Sequence, residues 1–186
     1  MIENEKLNKE DLTQTLDRTI SWIENCDNKA SIILGIVGVV LSILLSMEYV
    51  ELIGALIVDI SVCATFGNIL LLTLIIIAFI VCFAGIVFLI KSLTAKIKIE
   101  EFSKRGIFAD SRIFFSTIAK NNTFADFDEK LSETDGDVLI KDLKSQIYIC
   151  SIICDRKFKN YNRGLRFSIL GAGMLMLLTI VNLLVR

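Results

Sequence analysis

A cluster of basic and aromatic side chains in the last third of the chain has the chemistry to bind phosphate. Lys159, Arg163 and Arg166 recur at spacings of four and three, which places them on one face of a helix. Cationic side chains bind phosphates, and aromatic rings stack on bases. The same face also suits anionic lipid headgroups at a membrane surface, so both interpretations stay open. The candidate phosphate-binding residues are Arg156, Lys157, Phe158, Lys159, Tyr161, Arg163 and Arg166.

Small residues form a second pattern, on a helix face in the first third of the chain. They follow one another at spacings of four, three, four and four. Small side chains let membrane helices approach closely. The face therefore either packs against another helix of the same subunit or lines a weakly selective pore. We call it the small-residue face, and its members are Ser31, Gly35, Gly38, Ser42 and Ser46.

Charged residues flank this face. Asp27 and Lys29 come directly before it, where charges usually anchor a helix at the membrane boundary but could also form the entrance ring of a pore. Asp59 lies further along, as either a solvated interfacial acid or part of an outer acidic ring.

No catalytic constellation is visible. The chain has no His, which is the commonest metal ligand and the side chain that titrates near neutral pH. It has no Gly-rich phosphate loop and no nucleophile motif. Its five cysteines are an odd number without close spacing, which argues against a disulfide framework and a zinc site. The sequence predicts a protein that is not an enzyme, with no metal and no cofactor.

Three apolar segments are long enough to cross a bilayer. The run 69–90 has no charged residue, and its length of about 33 Å as a helix exceeds a hydrocarbon core of about 30 Å. Segments 30–47 and 167–185 are the other two predicted spans. Segment 53–66 is shorter and contains a central acid, which favours either an extension or a short helix at the far interface over a fourth span.

Charge placement predicts the orientation of these spans. Segment 48–68 contains no Lys or Arg, whereas segment 91–166 contains fifteen. By the positive-inside rule, 91–166 is cytoplasmic and 48–68 is an external connection. With three crossings, residues 1–29 are then cytoplasmic and the carboxyl terminus is external.

The cytoplasmic segments are predicted to be helical extensions of the spans, because the chain has no Pro to interrupt a helix. Thr123 and Asp126 have the spacing of a capping box, and Asp137 is a candidate cap for the last helix. An amphipathic stripe is expected on the N-terminal helix at Leu12, Leu16, Ile20 and Ile23. The last helix has its own stripe at Ile140, Leu143, Ile147, Cys150, Cys154, Phe158 and Tyr161.

These features predict the fold class: an all-α integral membrane protein with three transmembrane helices that extend into cytoplasmic helices. The cytoplasmic part is small for an independent domain, so its apolar stripes need cover from one another or from neighbouring subunits. We therefore expect a homo-oligomer in a lipid bilayer.

Three stretches of the sequence resemble a known family. The stretch CDNKASIILGIVGVVLSIL, which begins at Cys26, resembles the first membrane helix of the Pycsar-type transmembrane effectors. The stretches RIFFSTIAKNNTFADFDEKL and DLKSQIYICSIICDRKFKNY resemble that family's cytoplasmic segment and its lead into the last membrane helix. The resemblance as a whole extends over most of residues 20–185.

The resemblance implies an effector of bacterial antiphage defence in the inner membrane. Its partner would be a nucleotidyltransferase or cyclase that makes a cyclic nucleotide or a short oligonucleotide. That signal would control an oligomeric ion channel, and depolarisation would stop the infected cell. The rival hypothesis is a membrane-anchored scaffold that recruits a soluble partner and conducts nothing.

Overall fold

The chain is helical throughout most of the part that the computed structural model describes, which is residues 8–95, 107 and 110–185. Within these residues there is no β-strand, and the all-α prediction is confirmed. The helices in chain order are α1 Lys9–Leu44, α2 Met47–Val62, α3 Phe66–Leu93, α4 Phe115–Ile118, α5 Phe124–Ser132 and α6 Gly136–Val185.

Three of these helices, α1, α3 and α6, are long and apolar enough to cross a membrane. Only 17%, 22% and 28% of their most apolar 18-residue stretches is buried within the chain. Apolar surface of this extent is unstable in water, and lipid or further protein must cover it. The structure thus confirms three helices of membrane-spanning length.

The predicted segments merge into fewer and longer helices. Segments 1–29 and 30–47 meet within α1, which continues from Lys9 to Leu44 and is followed by a break at Leu45 and Ser46. Segment 48–68, predicted as an external connection, holds most of α2 and the start of α3. Likewise α6 extends without interruption through the junction of 91–166 with 167–185.

The described residues belong to two compact units. The polar unit takes its residues from Met1–Asn25 and Ala95–Arg156. The apolar unit comprises Cys26–Thr94 and Lys157–Arg186, and therefore contains the apolar stretches of α1, α3 and α6.

A buried carboxylate organises the polar unit. Asp142 on α6 is fully buried, and its Oδ2 accepts hydrogen bonds from the Ser111 hydroxyl at 3.0 Å and the Arg112 backbone N–H at 2.7 Å. The Gln146 amide donates to the Ser111 Oγ at 3.2 Å. Because charge-assisted hydrogen bonds are the stronger kind, this network holds the loop around Ser111 against α6.

The helix caps are partly as predicted. The Thr123 Oγ1 accepts from the Asp126 amide, and the Asp126 Oδ2 accepts from the Thr123 amide, both at 3.1 Å, so the capping box is confirmed. The prediction of Asp137 as a cap was wrong. Helix α6 already begins at Gly136, whose amide donates to the Asp135 carboxylate at 2.6 Å. Asp137 instead lies in the first turn, where an acid complements the helix dipole.

The buried stripe of α1 is more regular than hydrophobicity alone indicated. Its members recur at spacings of seven, seven, four, seven and seven. Ile20, which was assigned to the stripe, is 38% exposed, whereas Thr19 is buried in its place. Thr19 satisfies its own hydroxyl by donating to the Thr15 carbonyl at 2.8 Å. The buried residues are Leu12, Thr19, Cys26, Ala30, Val37 and Leu44.

A hydrophobic cluster joins four helices of the apolar unit. Leu56 on α2 is 2% exposed and Leu175 on α6 is fully buried. Helix α2 therefore packs along the membrane-length helices, although segment 48–68 had been assigned to a connection. The cluster consists of Val37, Leu44, Tyr49, Leu56, Ile75, Ala78, Cys82 and Leu175.

Glycines let α3 and α6 approach closely. A Cβ atom on Gly171 would lie 2.5 Å from the Cys82 backbone nitrogen, and one on Gly164 would lie 2.9 Å from the Leu89 backbone nitrogen. The later glycine of α6, Gly171, contacts the earlier residue of α3, Cys82, so the two helices run antiparallel. Close backbone approach at small residues is how membrane helices gain packing energy without a hydrophobic driving force between them.

The glycine contact can be tested by comparing Gly171→Ala with Gly173→Ala. We expect Gly171→Ala to lower the free energy of unfolding by about 1–3 kcal/mol, because the added methyl forces α3 and α6 apart. Gly173 lies on the same helix with open space where the methyl would go, so Gly173→Ala should be neutral or slightly stabilising. Equal unfolding midpoints of the two variants in detergent would contradict this packing.

Candidate functional site

An ion pair with a buried lysine joins three helices at one end of the apolar unit. Lys157 on α6 is 4% exposed, and its Nζ lies 2.6 Å from the Asp27 Oδ1 on α1. The same Nζ donates to the carbonyl oxygens of Ser92 at 3.1 Å and Leu93 at 3.0 Å, in the last turn of α3. One ammonium group thus holds α1, α3 and α6 together.

Two smaller groups complete this arrangement. The Ser92 hydroxyl, itself fully buried, donates to the Lys157 carbonyl at 3.0 Å. The Cys26 Sγ lies 3.7 Å from the Ser92 Oγ, at hydrogen-bond distance for sulfur. We call Cys26, Asp27, Ser92 and Lys157 the ion-pair cluster.

The ion-pair cluster depends on the carbonyl groups at the C-terminus of α3. The last carbonyls of a helix lack intrahelical partners and carry partial negative charge. Lys157 satisfies two of these carbonyls and at the same time neutralises Asp27. Three acceptors around one ammonium offset the cost of removing that charge from water.

Burial also affects the protonation of the neighbouring thiol, Cys26. Burial raises the pKa of Cys26 above its usual value, although the Ser92 hydrogen bond acts in the opposite direction. The thiol is therefore neutral at physiological pH. Because the thiolate is the reactive form, Cys26 is a packing group in this site rather than a nucleophile.

Four members of the small-residue face, Ser31, Gly35, Gly38 and Ser42, lie on the opposite side of α1 from its buried stripe. Ser46 was predicted on the same helix face but lies in the break between α1 and α2. All five members are exposed within the single chain. A Cβ atom on Gly35 or Gly38 would meet no atom of a neighbouring helix within 4 Å. The Ser42 hydroxyl donates to the Gly38 carbonyl at 2.9 Å, so this polar group is satisfied within the helix. The small-residue face is thus compatible with lipid, water or another subunit.

The two residues assigned to a pore entrance have different surroundings. Asp27 belongs to the ion-pair cluster, with 37% of its side chain exposed. Lys29 is exposed on α1.

The candidate phosphate-binding residues are not all accessible. Lys157 is buried in the ion-pair cluster, and Arg156, Phe158 and Tyr161 are half-buried. The exposed members are Lys159, Arg163 and Arg166. Arg163 lies over the Phe88 ring of α3, with 6.0 Å between its guanidinium carbon and the ring centroid.

Sequence reasoning missed the pairing of Lys157 with Asp27, although one pattern could have indicated it. Lys157 follows Cys150 by seven residues and Cys154 by three, so it lies on the apolar stripe of α6. A lysine on a buried stripe needs an acid, and Asp27 at the start of an apolar run is the natural partner. Ser92 offered no comparable indication.

Comparisons with known proteins support the resemblance found in the sequence. A family model described as the Pycsar effector protein domain matches residues 11–185. The chain is also 32% identical over 183 residues to the Pycsar effector protein GmPycTM of Gulbenkiania mobilis, and the match covers 91% of this chain and 92% of that protein. No solved structure has significant similarity to the chain.

The ion-pair cluster can be tested by a double-mutant cycle with Asp27→Asn and Lys157→Met. We expect a coupling free energy of about 1–2 kcal/mol, less than for a fully buried pair because Asp27 is partly exposed. Lys157→Met should be the more damaging single change, because it also removes the ammonium group that donates to two carbonyls in the last turn of α3.

Lys144→Met is the matched control, since Lys144 is exposed on the same helix. Unfolding midpoints in detergent give all four corners of the cycle. Additive effects of Asp27→Asn and Lys157→Met would contradict the pairing.

Proposed function

This chain belongs to the Pycsar effector family of bacterial antiphage defence, and on that premise we propose that it is an oligomeric membrane pore controlled by a cyclic nucleotide. A partner cyclase would make the nucleotide on infection. Ion flow through the pore would then depolarise the cell membrane and arrest the infected cell. In this proposal the protein carries out no catalysis and needs no cofactor of its own.

The observation that carries the pore proposal is the exposure of the small-residue face. Helix α1 uses its opposite side to pack within the subunit, at Ala30, Val37 and Leu44. The face with Gly35 and Gly38 is left to partners outside the subunit. Copies of α1 that pack along one edge of this face would surround a passage lined by the rest of it, with serine hydroxyls and glycine backbone, which favours weak selectivity and gating by dewetting.

The ion-pair cluster suggests how a signal would change the pore. Lys157 connects α1, which carries the small-residue face, to α3 and α6. A ligand can shift such an arrangement only if it binds one conformation better than the other. We propose that nucleotide binding favours a conformation in which α1 has moved relative to α3 and α6.

Ion flux from liposomes tests the pore. Purified protein should release an entrapped ion when one member of the set cAMP, cGMP, cCMP and cUMP is added. Gly38→Leu should reduce this flux about tenfold or more, since a loss of about 1.4 kcal/mol in subunit contact is enough for that factor. Gly54→Leu is the control, because Gly54 on α2 also has open space around it.

Two outcomes would favour the scaffold hypothesis instead. The first is the absence of flux with any of the four nucleotides, although the protein is inserted and assembled. The second is equal flux from Gly38→Leu and Gly54→Leu.

The proposed orientation places the α2–α3 break outside the cell and the polar unit in the cytoplasm. Cys63 is exposed at the end of α2, and it would be the single cysteine of a variant whose other four are replaced by Ser. A membrane-impermeant maleimide should label Cys63 in intact cells. A cysteine placed by Ser132→Cys in the same background, exposed at the end of α5, should react only in inverted vesicles. The reverse labelling pattern would overturn the orientation.

A further inference from the structure

We propose that the groove between α3 and α6 binds one anionic phospholipid, with Arg163 and Arg166 on its phosphate and the apolar part of the groove along an acyl chain. This assignment is independent of the proposed pore function. It concerns only residues of the apolar unit.

The headgroup end of the groove is a cavity of about 500 Å³. The rings of Phe88 and Phe167 stack there with centroids 5.7 Å apart and planes 12° from parallel. Arg163 and Arg166 line the same cavity. Arginine side chains at the end of an apolar helical segment are typical of the membrane–water interface.

The charge in this cavity has no counter-ion within the described part of the chain. Neither Arg163 nor Arg166 has a carboxylate partner there, and Lys91 adds a third cation with its Nζ 5.6 Å from the Phe88 centroid. A guanidinium group binds phosphate through two parallel hydrogen bonds, and phosphate complements the charge of this cavity. The headgroup end therefore favours a phosphate-bearing ligand.

The apolar half of the groove indicates that the ligand also has an acyl chain. A cavity of about 440 Å³ continues along the two helices, and Leu170 lines both cavities. Leu74, Met174 and Leu178 line the second one, which has no charged residue. A soluble nucleotide has no group that would occupy such a surface, whereas an acyl chain does.

The length of the groove agrees with this assignment. Phe167 and Leu178 are eleven residues apart on α6, or about 17 Å along the helix axis. One leaflet of a bilayer contributes about 15 Å of hydrocarbon. A phospholipid with its phosphate at Arg163 and Arg166 can therefore place one acyl chain along the whole groove.

Native mass spectrometry of the full chain tests the proposal. Protein extracted from vesicles of phosphatidylcholine and phosphatidylglycerol should retain phosphatidylglycerol preferentially. Arg163→Gln/Arg166→Gln should weaken this retention about tenfold or more, as expected for the loss of charge-assisted hydrogen bonds. Lys120→Gln/Lys144→Gln is the control, since it removes the same charge at exposed positions outside the groove.

A second variant pair tests the acyl half. Gly173→Phe would fill the apolar cavity and should lower retention of phosphatidylglycerol, whereas Gly54→Phe on α2 should not. Thermal stability in detergent should rise with added phosphatidylglycerol and not with inorganic phosphate or with the four cyclic mononucleotides.

Several results would overturn the lipid assignment. Equal retention of the two lipids by the unaltered protein would do so, even if the arginine variant fails to fold. Stabilisation by inorganic phosphate or a nucleotide but not by phosphatidylglycerol would identify a soluble ligand instead. Unchanged retention of phosphatidylglycerol by Gly173→Phe would show that no acyl chain binds in the apolar cavity.

Discussion

The packing of the apolar unit depends on hydrogen-bond acceptors for one ammonium group, that of Lys157, which is almost entirely removed from water. Lys157 finds three oxygen acceptors, one on Asp27 and two at the end of α3. These acceptors come from two helices, so the charge can be buried only where both helices meet α6. The hydrophobic cluster and the glycine contacts then add packing energy, but neither specifies the end at which the helices are joined. A buried charge with few alternative partners gives that specificity.

The lengths of the helices were predictable from the sequence, whereas the faces by which they pack were only partly so. Uninterrupted apolar runs and the absence of Pro correctly indicated α1, α3 and α6. The predicted apolar stripe of α6 is buried or half-buried between Ile140 and Tyr161. Beyond it, apolar periodicity no longer marks the packed face, because the buried positions include Gly164, Ser168, Gly171 and Asn182. The lipid-facing side of a membrane helix is itself apolar, so hydrophobicity does not show which side packs within the subunit.

The packing partners of the glycines were equally hard to predict from the sequence. The spacing of Gly35 and Gly38 predicted a face that either packs within the subunit or lines a pore, and within the subunit a Cβ atom on either glycine would meet no neighbouring helix. Gly164, by contrast, makes a close contact between α3 and α6. Spacing tells which residues share a face. It does not tell whether the partner of that face belongs to the same chain, and membership of the family does not tell it either.

The seven-residue intervals on α6 have a consequence for the kinds of genetic change that this helix tolerates. Lys157, Gly164 and Gly171 each meet a fixed level of α3 at Ser92, Leu89 and Cys82. One inserted or deleted codon between Lys157 and Gly171 would turn the residues beyond it by about 100° around the helix axis. Either the lysine or a glycine would then lose its partner. Outward-facing apolar positions of this segment therefore tolerate exchange for other apolar side chains, whereas a change in the length of the segment is not tolerated.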